Sequence, residues 1–229
     1  MSKLRKFIKM IKGLLLDFGS VISKSLFERH RITEEALGLK KGTLTWRGPF
    51  DPESDDLWMS MQRDEITERQ YWGARAKEIG ELLGHENWTM LDLLRGMGGE
   101  TDYSKVLRPQ ALKTIELVKA AGLKIGILSN EIELFTGKKF VDNLPFINDL
   151  DSFYDATHSD ILKPDPRAYA GAMKNMNLKP REVLFVDDQL RNIMGGMKFG
   201  LKTLHFDITE PDACYEYVLK VMGVSNTTL

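Results

Sequence analysis

Four stretches of the chain end or centre on side chains able to do chemistry. Asp17 follows the apolar run GLLL, Ser129-Asn130 follows LKIGIL, and Asp187-Asp188 follows VLFV, while Lys163 stands in the loop ILKPDPRAY. Each has an ordinary explanation when taken singly. Ser and Asn cap helices well, an aspartate after a strand can do the same, and a lysine is most often a solvated surface charge. Together they make a set: an acid, a hydroxyl, an ammonium and an acid pair. Three carboxylates gathered in one place raise one another's pKa unless a cation neutralises them. Hard oxygen ligands around an open position suit Mg2+, which keeps waters and binds together with substrate phosphate. Lys163 and Ser129 could then hold the remaining phosphate oxygens, with Asp17 as the nucleophile. This is a constellation for phosphoryl transfer.

Those residues can meet only if strand ends meet. The runs IKGLLLD (11–17), LKIGIL (123–128), VLFV (183–186) and KTLHF (202–206) are short and apolar, as buried parallel strands are. Helices are expected between them. Pro109 opens one with Leu112, Ile115 and Val118 inward and Gly122 closing it; Asp165-Pro166 caps another that carries Tyr169 and Met173; a third runs to about Phe199 and Gly200. Strands alternating with helices predict an α/β fold, a Rossmann-like doubly wound parallel sheet. In such a sheet ligands bind beyond the carboxyl ends of the strands, where Asp17, Ser129 and Asp187 would stand.

The alternation is interrupted after the first strand. Residues 24–103 are polar, hold all four tryptophans and show no strand–helix pattern, so they read as an inserted helical domain, with 1–23 and 104–229 forming the α/β core. The insert opens irregularly, and GPFDPESDD (48–56) reads as a loop. Thr67 and Gln70 then form a capping box with Ile66 and Tyr71 at staple positions, ahead of Trp72, Ala76, Ile79 and Leu83 on one face. Trp46 and Arg47 lie in the irregular part and are the candidate substrate contacts; Arg63, Tyr71 and His30 follow them.

Composition narrows the partners. A formal net charge of -1 leaves no global field to draw nucleic acid or an acidic membrane surface. The basic opening MSKLRKFIKMIK runs into the first strand without a small-residue cleavage site, and reads as a lead-in. A single cysteine, Cys214, rules out an internal disulfide and leans toward a cytoplasmic setting. Nothing in the sequence specifies an oligomeric state.

Taken in order, LLLDFGSVI, ILSN, LKPDPRAY and VLFVDDQLRN resemble the four motifs of the haloacid dehalogenase (HAD)-like hydrolases. The insertion point resembles the subfamily with a helical cap after the first motif. In style the motifs are similar to the branch containing the α-glucose-1-phosphate phosphatases. The resemblance implies that Asp17 forms an aspartyl-phosphate and, with the backbone carbonyl of Gly19, binds Mg2+. It implies that Ser129 holds phosphoryl oxygens, with Asn130 lining the same site, and that Lys163 neutralises charge. Asp188 would bind the metal directly, Asp187 through water, and Asn192 would steady that loop. The substrate implied is a small phosphorylated metabolite of the sugar-phosphate kind.

The first motif departs from the family pattern at one position. Most phosphatases of the family carry a second aspartate two residues after the nucleophile, to protonate the leaving group and activate water; here Gly19 stands there. Three readings stay open. One is a phosphatase for leaving groups that need little protonation, such as anomeric or acyl phosphates, or one whose acid is water or a cap residue. Another is cleavage of a different bond, as in 2-haloacid dehalogenases, where halide leaves unprotonated, or in phosphonatases, where a cap lysine such as Lys40, Lys41 or Lys77 would form a Schiff base. The last is a non-catalytic protein that binds a phospholigand or a partner. The Asp187-Asp188 pair argues against dehalogenation, and the complete set of Asp17, Ser129, Lys163 and Asp188 argues for catalysis.

Overall fold

A computed structural model describes residues 11–63, 65–97 and 103–225. The basic stretch 1–10 lies outside these. The chain divides into two compact units: one holds the described residues within 1–24, 102–133 and 138–229, the other those within 25–101 together with 134–137.

The larger unit is built on five strands: β1 (Gly13–Leu16), β2 (Lys124–Ser129), β3 (Ser152–Asp155), β4 (Val183–Asp187) and β5 (Lys202–His205). They form one parallel sheet in the order β3-β2-β1-β4-β5. Leu14, Leu15, Leu16, Ile125, Ile127, Phe185 and Val186 are all wholly buried, so alternate side chains are covered on both faces. That is why these strands read as unbroken apolar runs rather than alternating ones. Along the chain the principal helices are α1 (His30–Leu37), α2 (Asp56–Gln62), α3 (Glu68–Leu82), α4 (Met90–Gly96), α5 (Pro109–Ala120), α6 (Pro166–Met173), α7 (Leu190–Phe199) and α8 (Pro211–Met222). Leu15, Leu128 and Phe185 pack with Ala168, Tyr169, Ala172 and Ile193 of α6 and α7; α5 packs on β2 and on α8.

Strand order reverses at β1. Chain leaving β2 continues to β3 on one side, and chain leaving β4 continues to β5 on the other, so the carboxyl ends of β1 and β4 border the crevice where such sheets bind ligands.

Two expectations needed correction. β3 was not foreseen: SFYD is a four-residue edge strand with Phe153 36% exposed, and it lacks the apolar run that marked the others. Nor was α1, because the side chains it buries are Thr33 and Glu34 rather than apolar ones. Glu34 is buried because its carboxylate accepts from the backbone N–H groups of Gly42 (3.0 Å) and Leu44 (2.9 Å). The loop 48–56 contains two short helical turns before α2 begins at Asp56. The Thr67–Gln70 capping box forms as read.

Inside the helical unit, Phe27, Trp46, Met61, Tyr71, Ala76, Ile79 and Leu93 make a separate buried core. Asp55 organises its polar centre, accepting from Gly48 N–H, Trp58 N–H, the Tyr71 hydroxyl and Arg75. Among the described residues no helix is long and apolar enough to cross a membrane.

Candidate active site

β1 delivers Asp17 to the sheet edge. Its N–H continues the ladder by donating to the carbonyl of Val186 (2.9 Å), and the residue is 8% exposed. β4 delivers Asp187 beside it, wholly buried. Lys163 arrives from the loop ahead of α6, and its Nζ donates to Asp17 Oδ1 at 2.5 Å and to Asp187 Oδ2 at 2.6 Å. The lysine side chain is 2% exposed. Burial by itself would lower the pKa of this ammonium, but the two carboxylates outweigh it and hold the pKa above the ordinary lysine value. Lys163 is therefore a fixed cation wedged between two strand ends, with one N–H still available.

The neighbouring residues divide into those that face this centre and those that support it. Asp187 Oδ1 accepts from Gln189 N–H (2.8 Å) and Asn192 Nδ2 (3.0 Å), and Oδ2 accepts from Lys163 and again from Asn192 (3.2 Å). Both oxygens are thus engaged by protein donors. Through Oδ2, Asp187 anchors Lys163. Asn192 holds that anchor, and Tyr169 donates its hydroxyl to the Asn192 carbonyl (2.6 Å). Asn130 turns its amide to the backbone of Lys163: Oδ1 accepts from Lys163 N–H (2.7 Å) and Nδ2 donates to the Lys163 carbonyl (3.3 Å). It clamps the lysine's backbone from both sides. Ser129 ends β2, the strand next to β1, and is 5% exposed.

Gly19 is exposed and extended, with φ -62° and ψ 135°. A methyl placed there would meet nothing nearer than Asp17 Oδ2, at 3.8 Å. The position beside the second Asp17 oxygen is open, and no backbone strain demands glycine.

Mg2+ takes hard oxygen donors and keeps several waters. Asp17 Oδ2, the Gly19 carbonyl and Asp188, which directly follows β4, are donors of that kind. Asn192 Oδ1 adds a buried oxygen at the same strand end that lacks a hydrogen-bond partner. No three His, Cys, Asp or Glu side chains among the described residues are grouped to hold a metal. The donors named above are oxygens of the kind Mg2+ takes, with water and phosphate able to complete its shell.

Trp46 and Arg47 belong to the helical unit. Trp46 is 4% exposed, with its ring centroid 4.2 Å from His30, 5.4 Å from Phe27 and 6.0 Å from Trp72. It packs that unit's core, because a large ring in an irregular segment gains most by burial; Arg47, beside it, is exposed. Two residues given no role from sequence reach the turn after Asp17. Arg108 Nε donates to the Ser20 carbonyl and the Tyr215 hydroxyl to the Val21 carbonyl, across 88 and 194 positions of chain. No local pattern could mark partners so far apart.

Residues 11–200 match the family model for haloacid dehalogenase-like hydrolases. The chain is 34% identical over 110 residues to (S)-2-haloacid dehalogenase 4A of Burkholderia cepacia, a match covering 48% of this chain and 47% of that protein. It is 24% identical over 169 residues to a phosphoglycolate phosphatase of Psychrobacter arcticus, covering 71% and 70%. Matches to the dehalogenases thus span less than half of those proteins, 47% and 43% for two of them. Among solved structures, the HAD-hydrolase YfnB of Bacillus subtilis, bound to magnesium, superposes with TM-score 0.60 at 17% identity, covering 84% of this chain and 85% of that one.

Proposed function

The chain belongs to the haloacid dehalogenase-like hydrolases, and on that premise we propose that it is a Mg2+-dependent phosphatase acting on a small phosphorylated metabolite through Asp17. The observation that carries this reading is the buried ammonium of Lys163 held at 2.5 Å and 2.6 Å between Asp17 and Asp187. A cation so placed lies against the Asp17 carboxylate and can balance the charge of an arriving phosphate.

In this mechanism an Asp17 oxygen attacks phosphorus, the bond from phosphorus to the leaving oxygen breaks, and that oxygen departs with the electron pair. Water then attacks the aspartyl-phosphate, releasing inorganic phosphate and restoring the Asp17 carboxylate. Ser129 donates a hydrogen bond to the phosphoryl oxygens, and Lys163 turns its free N–H toward them. Asn130, Asp187 and Asn192 keep Lys163 in place throughout. Asp17, the Gly19 carbonyl and Asp188 would hold Mg2+, which when bound supplies charge neutralisation for the phosphoryl group. The inserted helical unit is taken as the element that selects the substrate, of the sugar-phosphate kind.

A second reading is favoured by Gly19 alone. An open position where a proton donor would stand suits a leaving group that needs none, as halide does, and dehalogenases are among the relatives. One assay separates the two. Purified protein is run with Mg2+ and with EDTA against sugar phosphates, acyl phosphates, p-nitrophenyl phosphate, phosphonoacetaldehyde and 2-haloacids. Mg2+-dependent phosphate release that Asp17→Asn abolishes is the expected result. Halide release in EDTA, without phosphate release in Mg2+, would sink the phosphatase reading.

A further inference from the structure

The turn Phe18–Ile22 after Asp17 is irregular and held from far away. Gly19 is extended, and Ser20 then enters the left-handed region at φ 60° and ψ -24°. A residue with a Cβ is strained there, and such a conformation persists only where surrounding structure over-determines it. The surroundings do so here. Ser23 N–H closes the turn on the Phe18 carbonyl (2.9 Å). Outside donors take three consecutive carbonyls of the turn: Arg108 Nε reaches Ser20 (3.0 Å), the Tyr215 hydroxyl reaches Val21 (3.0 Å), and Arg108 N–H reaches Ile22 (2.9 Å). Arg108 and Tyr215 are each 3% exposed. The Phe206 ring joins them, with its centroid 5.7 Å from the Arg108 guanidinium carbon and 5.3 Å from the Tyr215 ring.

This clamp acts where the chemistry needs alignment. The Gly19 carbonyl belongs to the peptide between Gly19 and Ser20, so its direction is set by ψ of Gly19 and φ of Ser20. If Ser20 relaxed to negative φ, that peptide plane would rotate and carry the Gly19 carbonyl with it, two residues from Asp17. We propose that Arg108 and Tyr215 are positioning residues for the reaction at Asp17, keeping Ser20 left-handed so that the Gly19 carbonyl and the Asp17 carboxylate stay in register. This rests on the reading of Asp17 as the nucleophile.

The test uses Tyr215→Phe, which removes one hydroxyl, with Arg108→Lys and Arg108→Ala as a graded pair. A misplacement on the order of 1 Å can cost about 10²-fold in rate. Tyr215→Phe is expected to lower kcat on p-nitrophenyl phosphate by about 10- to 100-fold while leaving KM within about 2-fold. It should also weaken Mn2+ binding to the substrate-free protein, read by titration calorimetry, and speed exchange of the Ser23 amide hydrogen. Arg108→Lys should recover part of what Arg108→Ala loses. Variants that melt at lower temperature yet keep wild-type kcat and Mn2+ affinity would overturn the proposal and leave the clamp purely structural. If wild-type protein and Asp17→Asn release equally little phosphate, the reading of Asp17 itself fails, and the positioning role goes with it. If only Asp17→Asn is impaired and the clamp variants match wild type, the clamp alone fails.

Discussion

Installing an acid at Gly19 tests both the openness of the site and the chemistry assigned to it. The substitution Gly19→Asp is sterically permitted: the backbone at φ -62° and ψ 135° suits any L-residue, and the new Cβ would meet only Asp17 Oδ2, at an ordinary contact distance of 3.8 Å. Folding should not suffer, because replacing glycine where the native φ and ψ are accessible stabilises by about 0.4–1 kcal/mol. The cost is electrostatic. Two carboxylates about 4 Å apart repel by roughly 1–4 kcal/mol between the water-like and surface limits. That repulsion raises the pKa of the new acid, which is what a proton donor at neutral pH requires. General acid assistance is worth about 10²–10⁴ in rate, or roughly 3–5 kcal/mol of barrier. The net expectation is a gain of about 10-fold or more in kcat/KM for an alkyl phosphate such as glycerol phosphate. Little change is expected for p-nitrophenyl phosphate, whose leaving group departs without a proton. The ratio of the two substrates is the assay, with Gly19→Asn as the control that adds the shape but no acid. A folded Gly19→Asp protein that binds Mg2+ with an unchanged alkyl-to-aryl ratio would refute the reasoning, since another group would already be donating the proton.

Two further outcomes follow from buried charge. Lys163→Met would remove the cation held between Asp17 and Asp187, so unfolding free energy in urea should fall by about 3–5 kcal/mol. Adding Asp17→Asn and Asp187→Asn should restore most of the stability without any phosphate release. In the helical unit, burial lowers the His30 pKa to about 4; Glu34 opposes that, and Arg47 and Arg75 add to it. The folded state therefore favours the neutral ring, and the associated stability is complete above about pH 6.5 and lost as pH falls toward 4. With allowance for the ring's partial exposure this is on the order of 1–2 kcal/mol. All four tryptophans lie in that unit, so fluorescence-monitored unfolding at pH 7 and pH 4.5 reports on it directly, and His30→Gln should remove most of the difference.

Much of the α/β unit was legible because β1, β2 and β4 are buried on both faces and so appear as apolar runs. The polar residues after those runs mark the edge where an open parallel sheet binds ligands. Helix ends were legible for a similar reason: Asp165 accepts from Arg167 N–H at the start of α6, and Gly200 takes φ 101° at the end of α7, both local signals. Where burial was carried by polar side chains the pattern failed. Glu34 in α1 looks like a solvent residue and is a core residue, because two backbone N–H groups meet its carboxylate. The edge strand β3 failed for the opposite reason, being too short and too exposed to carry a run.

For the candidate site, residue types and their order along the chain mark Asp17, Ser129, Lys163 and Asp187-Asp188 as candidates, since side-chain chemistry and proximity to a strand end are local properties. The division of labour among them came only with the tertiary structure. That Asp187 anchors Lys163, that Asn130 grips the lysine's backbone, and that Trp46 fills a core all depend on which groups lie within about 3–6 Å, a distance set by sheet order and packing. Arg108 and Tyr215 are the extreme case: their partners are backbone carbonyls 88 and 194 positions away, and a carbonyl has no side-chain identity for a sequence to display.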